Sequence, residues 1–250
     1  MPSGVSLVLA DTESYVLANN AIEQCLKEFA FDEVLIFTDR VEYWPNYRTH
    51  RINKIASSIG YSQLMLSEVP RHIETDYFVV AQYDGFILDG AAFSQDFYSF
   101  DYIGAPWPEM AYPYFRVGNG GFSWRSRRLA LAVADMINFW DMKEPEDIFI
   151  SRIARVALEM RYGCKFADVE LAKTFSSELI FSEKSVFGFH GLIHMPLVYR
   201  NNLSFLIENL PERVFNDDRV PLSMRVSAMD TNQQAEFWTL YRARLVAHNH

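Results

Sequence analysis

VSLVLADTESYVLANNAIEQCLKEFAFDEVLIFTD, residues 5–39, decides the fold. Residues 5–10 form a compact apolar run, residues 15–29 repeat apolar positions at helical spacing, and residues 33–39 hold a second apolar run. That order is a β-α-β unit. Runs so uniformly apolar suit strands of a parallel sheet that helices cover on both faces. Each run ends in polar residues, Asp11 and Thr12 after the first, Thr38 and Asp39 after the second. Open α/β sheets hold ligands at the carboxyl ends of their strands, so Asp11, Thr12 and Asp39 are candidate binding residues.

Working outward, YFVVAQYDGFIL (77–88) is the strongest strand pattern in the chain and is expected at the centre of the sheet. Residues 40–60, with Pro45 and the basic residues Arg48, Arg51 and Lys54, read as a loop and a short helix. SQLMLSEVPRHI (62–73) reads as the next helix, ending near Pro70. An aromatic, loop-like stretch over 100–115 leads into the Gly-rich VGNGGFSWRS (117–126), where Ser126 can cap a helix expected over 127–140. A further helix is expected from Pro145 through 160. Residues 166–178 and 185–191 are expected to supply strand and loop elements that close the sheet.

The last helix, over 231–245, carries Phe237, Leu240, Tyr241 and Leu245 at helical spacing beside Trp238, a stripe expected to face the core. Exposed, it would suit a partner protein rather than lipid, because Arg242 and Arg244 are too few for electrostatic anchoring.

Half of the 250 residues are apolar and 15% aromatic, enough to bury one core, and no linker divides the chain. The formal charge of −9 removes any whole-surface attraction to nucleic acid or anionic membrane. Cys25 and Cys164 read as buried thiols and suit a reducing compartment. The first residues lack a basic start, and no stretch approaches the roughly 18 apolar residues of a membrane span. A cytoplasmic chain without a span is expected.

Several residues can carry chemistry. On a strand, Gln82 and Asp84 share a face, and their two oxygens near the strand's carboxyl end suit Mg²⁺ or Mn²⁺, although Asp84 could equally start a turn with Gly85. In GNGGFS, Gly118, Gly120 and Gly121 allow positive φ and close approach of a ligand, while Asn119 offers a donor and an acceptor; a tight turn is the alternative. Arg125, Arg127 and Arg128 read as a solvated helix face rather than as phosphate clamps. Trp107 suits either stacking on a sugar ring or burial. Glu146 and Asp147 occupy a first helical turn, where acids are favoured by the helix dipole whatever their function. His190 lies between Gly188 and Gly191, in a segment able to close over a ligand.

The ordered set QYDGFIL, DYIGAPW, VGNGGFSWRS, PEDIFI and FGFHG, within residues 5–195, resembles glycosyltransferases of the GT-A superfamily and a glycosyltransferase-like branch beside it. The resemblance implies an α/β, GT-A-like nucleotide-sugar-binding fold with a mostly parallel central sheet flanked by helices. A single domain, 1–250, would comprise a nucleotide-binding half (5–90), an acceptor and catalytic half (91–200) and a C-terminal helical extension (201–250).

It further implies a nucleoside diphosphate sugar donor, a glycan hydroxyl acceptor and Mn²⁺ or Mg²⁺. Asp84 would bind the metal, with Gln82 standing where the family's Asp-x-Asp motif has its first acid and His190 as a further ligand. Gln82, Asn119, Gly120 and Gly121 would join Asp11, Thr12 and Asp39 around the donor. Asp147, or failing it Glu146, would remove the acceptor's proton, which implies inversion. Two alternatives stay open, a non-catalytic nucleotide-sugar or glycan binder that keeps the fold and a metal-dependent hydrolase using Asp84, His190 and the acidic pair. A nucleotidyltransferase is disfavoured, because ADTESY stands where a Gly-rich phosphate loop would follow the first strand.

Overall fold

Strand β1 (Val5–Ala10) is buried at all six positions, because helices cover both faces of the sheet it enters. A computed structural model describes residues 4–108, 113–137, 143–180, 185–216 and 224–248. β1 is followed by α1 (Tyr15–Glu28) and β2 (Glu33–Thr38), the β-α-β unit expected from the sequence. Leu7 and Leu9 point into one core with Leu17, Ala21 and Ile22 of α1. Val8 and Ala10 point into the other, with Met65, Val69 and Ala130. This alternation follows from the two-residue period of a strand. Each fully buried aliphatic side chain contributes about 1.5–3 kcal/mol.

The sheet runs β3-β2-β1-β4-β6-β5, with β3 (Arg48–Arg51), β4 (Tyr77–Ala81), β5 (Tyr102–Gly104) and β6 (Ser123–Ser126). β3, β2, β1 and β4 are parallel, and β6 runs antiparallel to both β4 and β5. β4 is central, as expected. Three strands were hidden in the sequence, one of them β5, inside the aromatic stretch 100–115 read as loop-like. β3 lies where a loop and short helix were expected, and β6 lies inside the Gly-rich segment, its Ser126 Oγ accepting from Leu129 N–H (3.0 Å) at the start of the following helix.

Helix α2 (Ser58–Gln63) continues as a wider turn through Leu64–Glu68. Helix α3 spans Arg127–Ile137; the last three residues of the expected helix, 138–140, and the loop residues 109–112 lie outside the described residues. The helix expected from Pro145 divides into α4 (Glu146–Ile148), a π turn, and α5 (Arg155–Tyr162), with Pro145 as its cap rather than its first turn.

The expectation that 166–178 and 185–191 close the sheet is met only at Phe166, which forms a single parallel bridge with Tyr102 of the edge strand β5. Residues 169–175 form α6 (Val169–Phe175), capped by Asp168, whose carboxylate accepts from Leu171 N–H (2.8 Å). β7 (Ser176–Ser177) and β8 (Gly188–Phe189) pair in a separate two-stranded ladder. Helices α7 (Met195–Val198), α8 (Leu203–Asn209) and α9 (Thr231–His248) follow. Phe237 and Tyr241 of α9 are buried, and Leu240, Leu245 and Trp238 pack partly against the same core, so the stripe faces inward. Cys25 and Cys164 are free and buried. Among the described residues, no helix is long and apolar enough to cross a membrane.

Candidate functional site

At the end of β4 the chain turns sharply. Gln82 and Gly85 exchange backbone hydrogen bonds (2.8 and 3.0 Å), leaving Tyr83 and Asp84 at the tip. Asp84 therefore belongs to the turn rather than to a strand face. The two side chains still converge, because the segment carrying His190 is laced to this turn through Phe189 N–H to Phe86 O and Gly191 N–H to Asp84 O. His190 Nε2 lies 3.2 Å from Gln82 Oε1 and 3.9 Å from Asp84 Oδ1.

The other side of the imidazole is fixed by Glu178, whose Oε1 is 3.2 Å from Nδ1, and by Asn119, whose Nδ2 is 2.8 Å from it. Asn119 adopts φ 63°, and its Oδ1 accepts from Gly121 N–H (3.0 Å), which fixes the orientation of the amide. The left-handed residue of the Gly-rich segment is thus Asn119, not one of the glycines expected to provide it. The glycines instead admit neighbouring side chains. A Cβ on Gly121 would lie 2.0 Å from His190 Nε2, one on Gly120 1.6 Å from Glu146 Oε1, and one on Gly118 2.0 Å from the Trp107 ring.

The segment expected to face a sugar is packed within the protein. Trp107 is half-buried, with the Arg152 guanidinium 4.1 Å above its ring. Burial would lower the His190 pKa, but the Glu178 hydrogen bond and the charges of Asp84 and Glu178 outweigh it and raise it. Burial likewise works against an ionised Glu178, yet His190 holds its pKa below the usual value.

Asp84 is only 9% exposed, and its Oδ1 is buried with no hydrogen-bond partner among the described residues. An orphaned carboxylate oxygen, an amide oxygen and an imidazole nitrogen facing one point fit a divalent cation that takes its remaining ligands from elsewhere. His190 Nδ1 faces both the Glu178 carboxylate and the Asn119 amide N–H, and it can donate to the first or accept from the second but not both; the bond to Glu178, with the proton on Nδ1, is the arrangement that leaves Nε2 free for a cation. Among the described residues, no group of three or more His, Cys, Asp or Glu is arranged to hold a metal, so the third donor here is the Gln82 amide.

The acidic pair divides. Glu146 is buried, its Oε1 2.9 Å from Arg125 Nη2, and its backbone N–H donates to Ser62 Oγ (3.0 Å). Arg125, expected on a solvated helix face, is a buried residue of β6 that also donates to Gly120 O (3.2 Å) and Ser123 Oγ (2.9 Å). Arg128 instead pairs with Asp101. Asp147 is half-buried and among the described residues has no such partner cation; its Oδ1 accepts from Ile148 N–H (2.8 Å). Burial and then the charge of Glu146 push its carboxyl up to about 6.

Beside the metal candidates, at the carboxyl ends of β1 and β4, lies a cavity of about 560 Å³ lined by Asp11, Thr12, Lys54, Tyr61, Gln82 and Arg213 among others. Asp11 Oδ1 accepts from Glu13 N–H (2.8 Å) and Ser14 N–H (2.6 Å), yet burial still raises its pKa to about 6. Thr12 Oγ1 accepts from Ile55 N–H (3.0 Å), which fixes the opposite wall. Asp39 stands apart. Its carboxylate accepts from Tyr15 O–H (2.8 Å), and it borders a separate depression with Arg51 and Glu68.

Asp11, Thr12 and Gln82 therefore share one cavity, and Asp84, Gln82 and His190 share one point beside it. Asn119, Gly120 and Gly121 support that point from behind. Sequence reasoning missed Tyr61, Glu178 and Arg213; a histidine expected to bind a metal implies an orienting carboxylate, which was the available signal for Glu178.

The fold is that of an α/β protein with a cavity, and a cluster of Gln82, Asp84 and His190 beside it, at the carboxyl edge of a mostly parallel sheet. The chain belongs to the family described as protein of unknown function (DUF5672), which matches residues 45–190. Comparison with curated proteins finds no match. Among solved structures the chain is similar to the mannosyltransferase PcManGT from Pyrobaculum calidifontis in complex with GDP-Man and Mn²⁺. The identity is 9% and the TM-score 0.44, over 100% of this chain and 86% of that one. A likeness of that size leaves the reading of the site to its own geometry.

Proposed function

We propose that the chain is a metal-assisted glycosyltransferase that moves a sugar from a nucleoside diphosphate donor to a glycan hydroxyl. The observation that carries this reading is the convergence of Gln82, Asp84 and His190 beside the cavity that holds Asp11 and Thr12. Asp84, His190 and Gln82 would hold Mn²⁺ or Mg²⁺. When bound, the cation offsets charge on the departing diphosphate.

Asp11 and Thr12 line the donor's cavity, and Glu178 and Asn119 hold the His190 ring in place. Asp147 accepts the acceptor hydroxyl's proton on its carboxylate. With its pKa near 6 it is ionised at neutral pH and is a stronger base than an ordinary carboxylate. Glu146, closed in its ion pair with Arg125, positions rather than reacts. Direct attack by the activated hydroxyl gives inversion at the anomeric carbon.

In a thermal-shift panel, at least one nucleoside diphosphate sugar with Mn²⁺ should raise the melting temperature, and EDTA should remove most of the gain. With the donor identified, Asp147→Asn should lower turnover by about 10²-fold without weakening donor binding, and wild-type turnover should fall as pH drops through about 6. A panel without any response would sink the proposal. One observation favours a second reading, a binding protein without turnover: the neutral Gln82 amide is a weaker ligand than the acid the motif usually carries. Donor binding with no transfer to any glycan would identify that case.

A further inference from the structure

We propose that Arg213 is the residue that grips the donor's diphosphate, joining the C-terminal extension to the cavity; this rests on the nucleotide-donor reading above. Arg213 lies in the turn Glu212–Asn216, far along the chain from every motif, yet its side chain stands on the cavity wall. Nη2 donates to Tyr83 O–H (2.7 Å), Nε to Glu13 Oε2 (3.1 Å), and the guanidinium carbon sits 5.5 Å from the Tyr83 ring centroid.

Tyr83 is the residue between Gln82 and Asp84, so the cation adjoins the candidate metal point. Its charge acts on Asp11 and on Asp84 alike. The cavity is otherwise hostile to a polyanion, since Asp11 and Glu13 line it and Asp84 stands beside it. A diphosphate needs cations to enter.

Two other arginines, Arg125 and Arg128, are committed to buried carboxylates. Arg125 is locked to Glu146, and Arg128 holds the buried Asp101. Arg213 differs. Its partners are a neutral hydroxyl and a carboxylate that is 41% exposed, its own side chain is 53% exposed, and an exposed pair of this kind is weak. Among the described residues two of its five N–H donors are engaged, which leaves N–H groups to bond phosphate oxygens in the bidentate geometry that suits a guanidinium. Lys54, exposed across the cavity, adds a second positive charge.

The test is calorimetric titration of wild type, Arg213→Met and Arg213→Lys with UDP, UMP and uridine, and with GDP, GMP and guanosine, in the presence of Mn²⁺. Arg213→Met should weaken binding of the diphosphate by roughly 10- to 100-fold and leave the nucleoside unchanged. Arg213→Lys should recover part of the loss, since it keeps the charge without the fork. Equal losses for diphosphate and nucleoside would mean that Arg213 only shapes the cavity through Tyr83, and would overturn the proposal, as would no loss at all. If wild type binds none of these ligands, the donor reading falls and takes this inference with it. If wild type binds and Arg213 is indifferent, this inference alone falls.

Discussion

Asp84 and Asp101 are both buried carboxylates at the rim of one sheet, at opposite ends, and they differ in what meets them. Asp101 is saturated. It accepts from Ser126 O–H, from Arg128 through both Nε and Nη2, and from Lys165 N–H. Asp84 keeps one buried oxygen without a hydrogen bond among the described residues. The depression beside Asp101, about 700 Å³, is larger than the cavity near Asp84, about 560 Å³. Size therefore does not single out the candidate site. What separates the two is polar satisfaction: a saturated carboxylate ties elements together, whereas an orphaned one is kept at a cost that binding can offset.

The sharpest way to break this contrast is Asp84→Asn. The variant should lose turnover by about 10²-fold or more, together with its Mn²⁺-dependent thermal shift, while its melting temperature without ligand stays level or rises. A fall in stability would place Asp84 beside Asp101 as a structural residue. Asp101→Asn should do the reverse, costing about 3 kcal/mol in denaturant unfolding and leaving ligand binding intact, because several donors lose a charged acceptor. Equal loss of binding there would dissolve the distinction between the two edges.

The smallest effect sharpens it further. The pKa of Asp11 rises from 3.8 to about 6 on folding, so the native state holds that proton more tightly than the unfolded chain. Its contribution to stability is full below about pH 4, declines as pH rises through about 6, and is level above. Asp11→Asn, which keeps an acceptor for the two backbone N–H groups, should thus gain about 2–3 kcal/mol at pH 8 and nothing near pH 3.5, read from unfolding curves at both values.

The β1-α1-β2 unit and β4 were legible because strands buried on both faces carry continuous apolar runs. β3, with the sequence RTHR, was not, since an edge strand needs no apolar face and charges there discourage further pairing. Helix α6 lies in a segment read as strand and loop, and the signal that decides for a helix is the cap at Asp168. In the candidate site, Gln82, Asp84 and His190 were legible as strand-end and loop chemistry, and the structure brings them together. Asp39 ended a strand as Asp11 did but faces a different depression. Arg213 left no local trace, because its bond to Tyr83 spans 130 positions and exists only once the chain has folded.

That span has a consequence for synthesis. Glu13 and Arg213, which meet across the cavity, are separated by 200 positions, so a ribosome adding about 5–20 residues per second delivers the second roughly 10–40 s after the first. The strands that form the floor leave the exit tunnel early and can pair while translation continues. On the donor reading proposed above, a nascent chain would carry an acidic, half-built cavity without its diphosphate-gripping arginine until residue 213 emerges.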